Sequence, residues 1–127
     1  MTTLLIVDDS PIARQILRKC LPNDDDFTVL EACDGRDAIE KFRQFRPAIT
    51  FMDMTMPVMD GFAAIAEIRR MDPQAVIIAA TADVQPKARK RIADLGALML
   101  LPKPVSPGSI RDALSRARVA LEGETQG

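Results

Sequence analysis

The sequence predicts an α/β fold in which five strands alternate with five helices, giving one doubly wound parallel sheet covered on both faces. Three observations predict it. Short apolar runs, Leu4-Leu5-Ile6-Val7, Ala48-Ile49-Thr50-Phe51, Ala75-Val76-Ile77-Ile78-Ala79-Ala80 and Leu98-Met99-Leu100-Leu101, read as strands buried on both sides. The segments between them repeat apolar residues at helical spacing and carry helix start and stop signals. Strands alternating with amphipathic helices, without internal repeat or linker, pair in parallel through right-handed crossovers. At 127 residues the chain has the size of one domain and is long enough to bury a core.

The first strand, Leu4 to Val7, ends in Asp8-Asp9. Ser10-Pro11 then supplies a helix cap and a proline at the first helical position. This helix is expected to bury Ile12, Ala13, Ile16, Leu17, Cys20 and Leu21. Pro22-Asn23-Asp24-Asp25-Asp26 is a turn, and its three acids read as a solvated loop, not a metal site. A second strand spans about Thr28 to Ala32. Asp34-Gly35-Arg36 opens the second helix, whose apolar face is Ala38, Ile39, Phe42 and Phe45 and which Pro47 closes.

The third strand runs into Asp53, and Pro57 stops the chain soon after. Asp60-Gly61 starts the third helix, with Asp60 as its cap and Phe62, Ile65, Ile68 and Met71 inward, up to Asp72-Pro73. The fourth strand, Ala75 to Ala80, delivers Thr81 at its end. The fourth helix, about Pro86 to Leu95, has only a thin stripe of Ala88, Ile92 and Leu95 among many charges, so it is expected to pack least firmly. Gly96 turns the chain into the fifth strand, Leu98 to Leu101, which ends in Pro102-Lys103-Pro104. A last helix from about Ser106 buries Ile110, Ala113, Leu114, Ala117 and Leu121. The domain is thus read as residues 1–121, followed by a polar, frayed tail over 122–127.

Composition narrows the function. The sequence is 47% apolar and 28% charged, the profile of a soluble globular protein. No apolar run is long enough to span a bilayer, and Met1-Thr2-Thr3 lacks the features of a secretory signal. Two cysteines, Cys20 and Cys33, are too few for a disulfide framework and read as buried free thiols in a reducing cytoplasm. Histidine is absent, which removes His-based acid–base catalysis and the usual zinc sites. Any metal would be held by oxygen, as magnesium, calcium or manganese are. Residues 84–118 carry a net charge of +6 and the remainder −7, which we read as solvated helices in preference to a face for an acidic partner.

In a doubly wound sheet, ligands bind beyond the carboxyl ends of the strands. The polar residues falling there are Asp8 and Asp9 after the first strand, Asp53 after the third, Thr81 after the fourth and Lys103 after the fifth. Three converging carboxylates repel one another unless a cation compensates them. Magnesium suits the set, because it takes one or two carboxylates, keeps several waters and accompanies phosphate. Asp9 and Asp53 are the expected direct ligands, with Asp8 near the metal and the backbone carbonyl of Thr55 filling a further position. With Mg2+ present, a carboxylate can act as a nucleophile toward phosphorus. Phosphoryl transfer then needs positioning and charge neutralisation, for which Lys103 supplies a cation and Thr81 a hydroxyl, with the small Ala82 leaving phosphorus approachable.

These residues resemble a known family. Asp8-Asp9, Asp53 with Met56-Pro57 and Asp60-Gly61 after it, Thr81-Ala82, Gly96-Ala97 and Lys103-Pro104 together resemble the receiver domain of two-component response regulators, of the single-domain chemotaxis (CheY-like) type. The resemblance spans about Thr3 to Leu121. It implies a flavodoxin-like fold with strand order 2-1-3-4-5, an order that periodicity does not give. It implies that Asp53 accepts a phosphoryl group from the phosphohistidine of a histidine kinase, that Asp8 and Asp9 hold magnesium, that Lys103 pairs with the phosphoryl group and that Thr81 moves to bond it. It further implies a cis Lys103-Pro104 bond, and rate-tuning positions at Thr55 and Asp83. At Leu100 the family usually carries an aromatic ring that turns inward on activation, so the output switch of this chain must differ or be weaker.

The expected partners are a sensor histidine kinase or histidine phosphotransfer protein and a downstream protein, with no nucleic acid and no membrane insertion. The expected state is a cytoplasmic monomer or weak dimer. Two rival readings remain in other classes: a receiver-shaped interaction module that is never phosphorylated, and a Mg2+-dependent phosphohydrolase. Asp60, and Asp8 or Asp9 taken singly, also admit a purely structural role as helix caps. The methionines Met52, Met54, Met56 and Met59 read as core and rim packing.

Overall fold

The computed structural model describes residues 2–23, 26–56 and 59–126, with side chains described as far as residue 123. The acidic turn at Asp24-Asp25 and the proline stop at Pro57 lie outside the described residues. The elements are β1 (Thr2–Val7), α1 (Pro11–Cys20), β2 (Phe27–Ala32), α2 (Gly35–Phe45), β3 (Ile49–Asp53), α3 (Gly61–Met71), β4 (Ile77–Thr81), α4 (Pro86–Asp94), β5 (Met99–Pro102) and α5 (Pro107–Gln126). All strand pairs are parallel, in the order β2-β1-β3-β4-β5. This is the flavodoxin-like arrangement, in which the order reverses beside β1 and leaves a crevice at the strand ends.

Each apolar run becomes a strand because helices cover both faces of the sheet. Every residue of β3 and of β4 is buried. One core layer packs Leu5, Val7, Met52 and Ile77 against Phe42 of α2 and Ile65 and Ile68 of α3. The other packs Leu4, Ile6, Phe51 and Ile78 against Leu17 of α1 and Ile110, Leu114 and Ala117 of α5. Met52, Met54 and Met56 are buried and Met59 packs against them, so the methionines serve packing. Thr50 in β3 is fully buried, and its hydroxyl has no hydrogen-bond partner among the described residues.

The helix starts follow the caps. Ser10 Oγ accepts from Ala13 N at 3.2 Å, Asp34 Oδ1 from Asp37 N at 2.7 Å and Asp60 Oδ1 from Ala63 N at 2.9 Å. Each satisfies an amide that the helix itself cannot, a contribution of about 1 kcal/mol. α4 lacks such a side-chain cap and buries only Ile92, in keeping with its sparse stripe. Gly96 follows with φ of 89°, a backbone region that strains any residue with a Cβ.

Several sequence expectations need correction. Within the α1 stripe only Leu17 is buried; Ile12 is 69% and Ile16 48% exposed. Ala13, Leu17 and Cys20 share the face turned to the sheet and α5, and the rotation of 100° per residue leaves Ile12 and Ile16 on its open edge. Phe45 is also half exposed, because α2 ends there and Arg46 takes the left-handed conformation, turning the chain before Pro47 acts. Cys33 is exposed, since it lies just past the end of β2, and Cys20 is only partly buried; neither forms a disulfide. α5 continues through Gln126, beyond the Leu121 at which the apolar pattern stops, and Leu121 itself is partly buried.

Candidate functional site

Parallel pairing brings the sequence-predicted residues to one end of the sheet. Asp53 is the last residue of β3 and Thr81 the last of β4, while Asp8 and Lys103 immediately follow β1 and β5. The register sets Asp53 beside Ala80 and Thr81 beside Pro102, so Lys103 emerges next to the carboxylates. Its amide donates to the Thr81 carbonyl at 2.9 Å, which fixes the two strand ends together. Its ammonium then reaches back, donating to Asp8 Oδ2 at 2.9 Å and to Asp53 Oδ1 at 3.1 Å. Asp8 and Asp53 are buried and Asp9 is exposed; one carboxylate oxygen from each of the three lies within 4.8 Å of the others.

The loop after β3 is folded tightly over this end. A Cβ on Gly61 would lie 2.4 Å from the Asp53 carbonyl and 2.7 Å from Met54 Cα, so only glycine fits where α3 starts. The Thr55 amide points at Asp53 Oδ1 across 3.5 Å. Thr81 Oγ1 accepts from the Asp83 amide at 3.0 Å, and Asp83 Oδ1 accepts from the Gln85 amide at 3.1 Å. Thr55 and Asp83 are exposed at the mouth of the site. Leu100 is partly buried against the core layer that holds Ile92 and Phe62, with β4 between it and Asp53. The Lys103-Pro104 peptide bond is cis.

The electrostatics follow from burial. Removing Asp53 from water raises its pKa above the usual carboxylate range, and the Asp8 charge adds to that, while the Lys103 ammonium works against it. Burial alone would lower the Lys103 pKa; its hydrogen bonds to Asp8 and Asp53 outweigh burial and raise it instead. The lysine is therefore a fixed cation, and one ammonium serves two buried carboxylates with a third at hand. The excess of negative charge, borne by oxygen atoms gathered within a few ångströms, suits a hard divalent cation. Magnesium fits this donor set.

Two further residues act on this site without having been singled out in the sequence. Arg14 of α1 donates from Nη1 to the backbone carbonyl of Asp8 at 2.6 Å and from Nε to Glu31 Oε1 at 2.9 Å. The available signal was Glu31, a lone charge in an otherwise apolar strand, opposite Arg14 and Arg18 four residues apart on a helix. Beside the carboxylates, a cavity of about 370 Å³ is lined by Ala13, Ile16 and Leu17 of α1, by Ala82, and by Lys103 and Val105 of the loop after β5.

Comparison with known proteins agrees with this geometry. Residues 4–115 match the family model of the response regulator receiver domain. The chain is 36% identical over 113 residues to the chemotaxis protein CheY of Thermotoga maritima, covering 89% of this chain and 94% of that protein. It is 39% identical over 117 residues to a protein-glutamate methylesterase/protein-glutamine glutaminase of Desulfitobacterium hafniense, spanning 90% of this chain but only 30% of that protein's length. Among solved structures it resembles the chemotaxis protein CheY4 of Vibrio cholerae, with a TM-score of 0.84 and 30% identity over 92% of this chain and 98% of that one. It also resembles the CheX-CheY-BeF3-Mg+2 complex of Borrelia burgdorferi, with a TM-score of 0.83 and 27% identity over 89% and 86% of the two chains. No helix among the described residues is long and apolar enough to cross a membrane. A parallel sheet in the order 2-1-3-4-5, an acidic cluster bridged by one lysine at its carboxyl end, and a family match over residues 4–115 place the chain in the response regulator receiver domain family.

Proposed function

We propose that this chain is a phosphoacceptor that takes a phosphoryl group onto Asp53 from the phosphohistidine of a histidine kinase or phosphotransfer protein, and passes the signal on by protein contact. The observation that carries the reading is the double hydrogen bond of Lys103 to Asp8 and Asp53 at the end of the sheet. Among the described residues both hydrogen bonds to Asp53 fall on Oδ1, which leaves Oδ2 available as the nucleophile. That oxygen attacks phosphorus as the phosphorus–nitrogen bond breaks, and the electron pair leaves with the donor's imidazole. Lys103, held protonated, neutralises charge on the transferring group, and positioning supplies most of the remaining acceleration.

Asp8, Asp9 and Asp53, with the Thr55 carbonyl, are the residues that would hold Mg2+, which when bound neutralises phosphoryl oxygens as they approach the carboxylates. The CheY of Borrelia burgdorferi, similar in fold, was solved with BeF3 and Mg2+, which supports the same ligand class here. Ile16 is exposed and lines the cavity next to Asp8 and Lys103, and Ile12 is exposed one turn before it on α1, which supports α1 as the side from which a phosphodonor helix approaches. Thr55 and Asp83 flank the mouth and are proposed to tune entry of the hydrolytic water. For output, Thr81 would give up the Asp83 amide to bond the phosphoryl group, drawing the loop after β4 inward. Leu100 offers no ring to fill the space left, so α4, tied down by few contacts, is proposed to carry the change.

Incubation with a small phosphodonor and Mg2+ tests this reading. One phosphoryl group per chain is the expected result. Continuous release of phosphate from esters would instead indicate a phosphohydrolase, and absence of labelling an interaction module that is never phosphorylated.

A further inference from the structure

Arg14 occupies a position that the phosphoacceptor chemistry does not by itself explain. It lies on α1 with only 17% of its side chain exposed, and both ends of its guanidinium are engaged. Nη1 meets the Asp8 carbonyl at 2.6 Å, the shorter of its two contacts, and Nε meets Glu31 Oε1 at 2.9 Å. The other oxygen of Glu31 is taken by Arg18 Nη1 at 2.9 Å, so the carboxylate is braced between two arginines one helical turn apart. Glu31 is fixed in turn by its strand, since it pairs with Ile6 two residues before Asp8. Asp8 itself is tied at four points: its amide donates to the Ala32 carbonyl, its Oδ1 accepts from the Ser10 amide, its Oδ2 from the Lys103 ammonium, and its carbonyl from Arg14. Lys103 holds the Asp8 carboxylate, whereas Arg14 is the side chain that holds the Asp8 backbone, at the carbonyl of the Asp8–Asp9 peptide.

We infer that Arg14, braced by Glu31, is a positioning residue that holds the Asp8-Asp9 segment in the geometry needed to bind a divalent cation. The inference rests on the reading of Asp8, Asp9 and Asp53 as the Mg2+ site. Rotation of the Asp8–Asp9 peptide would swing the exposed Asp9 carboxylate away from the other two, and the guanidinium opposes that rotation. Groups that orient ligands without touching the metal typically change metal affinity by about ten- to a hundredfold. Charge alone acts in the opposite direction: deleting a cation close to a cation site should tighten binding. The two effects therefore differ in sign.

The test is calorimetric titration of the unphosphorylated full chain with Mg2+ alone, comparing wild type with Arg14→Met and Arg14→Lys, alongside thermal unfolding in chelator. Arg14→Met should weaken Mg2+ binding about tenfold despite removing a positive charge. Arg14→Lys, which keeps the charge but cannot fork between Glu31 and the Asp8 carbonyl, should also bind Mg2+ more weakly than wild type. Saturating Mg2+ should restore labelling of both variants by a small phosphodonor. Unchanged or tighter Mg2+ binding by folded Arg14→Met, or wild-type affinity in Arg14→Lys should the methionine variant fail to fold, overturns the inference while leaving the phosphoacceptor reading intact. A wild-type chain that binds no Mg2+ overturns the metal-site reading and this inference with it.

Discussion

Lys103 and Asp53 stand fifty positions apart in the chain and meet at 3.1 Å, while the same ammonium holds Asp8 at 2.9 Å. One half-buried cation thus compensates two buried carboxylates, which leaves a net negative site in the absence of metal. Such a site costs stability that a purely structural arrangement would avoid. The imbalance is what the proposed binding of a cation and a phosphoryl group would relieve, and it makes the apo protein's stability a readout of the site.

Asp53 has a raised pKa in the folded chain, from burial first and the Asp8 charge next, so the folded state holds its proton more tightly than the unfolded state does. Stability from this group is fully present below the unfolded value of 3.8 and is lost as pH rises through the raised folded value. Asp53→Asn removes that titration. In chelator, the variant's melting temperature should match wild type in acid below that point and exceed it at neutral pH, with the gap opening as pH climbs. Thermal melts of both proteins across pH check this. A constant gap, or a gap that closes with rising pH, would contradict the assignment, and Mg2+ should shrink the neutral-pH gap.

Thr50 offers a second stability test, away from the chemistry. Its buried hydroxyl has no partner among the described residues, a defect worth about 1 kcal/mol or more. Thr50→Val keeps the shape and removes the polar atom, so denaturant unfolding should show stabilisation of about 1 kcal/mol. A destabilised variant would mean that the hydroxyl is satisfied in solution.

How much of this was legible in the sequence differs between fold and site. Four of the five strands were readable because each holds an apolar run, and Asp8, Asp53 and Thr81 because each is the first polar group after such a run, as Asp53 is after Phe51-Met52. The order of the strands was not, since periodicity does not say which strand neighbours which; only the family resemblance carried it. The exposure of Ile12 and Ile16 was hidden because a helical stripe shows which residues share a face but not how much of that face a neighbouring helix covers. Phe45 was misplaced because the left-handed Arg46 ends α2 one residue later. Arg14 was missed because its contact with the site is to a backbone carbonyl, which no pattern marks; Glu31, its other partner, signals the pairing but not the contact with Asp8.

The switch gives a third prediction. Arg91 of α4 lies 3.7 Å above the Phe62 ring of α3, and Ile92 is the single buried residue of α4, so that helix is held at few points. Binding of beryllofluoride, standing in for the phosphoryl group, can shift only an equilibrium between existing arrangements. Chemical shifts of residues 81–104 should change far more than those of residues 12–21. Thr81→Ala should suppress that propagation while Asp53 remains open to modification. Equal perturbation throughout the domain, or an unaffected α4, would mean that the chain signals by another route.

The central claim is that Asp53 is the phosphoacceptor and depends on a divalent cation. Intact-protein mass spectrometry after treatment with a small phosphodonor tests it most directly, comparing wild type with Mg2+, wild type with chelator, and Asp53→Asn with Mg2+. One added phosphoryl group in the first sample and none in the other two is the predicted result. A label that survives Asp53→Asn, or forms equally well in chelator, would contradict it.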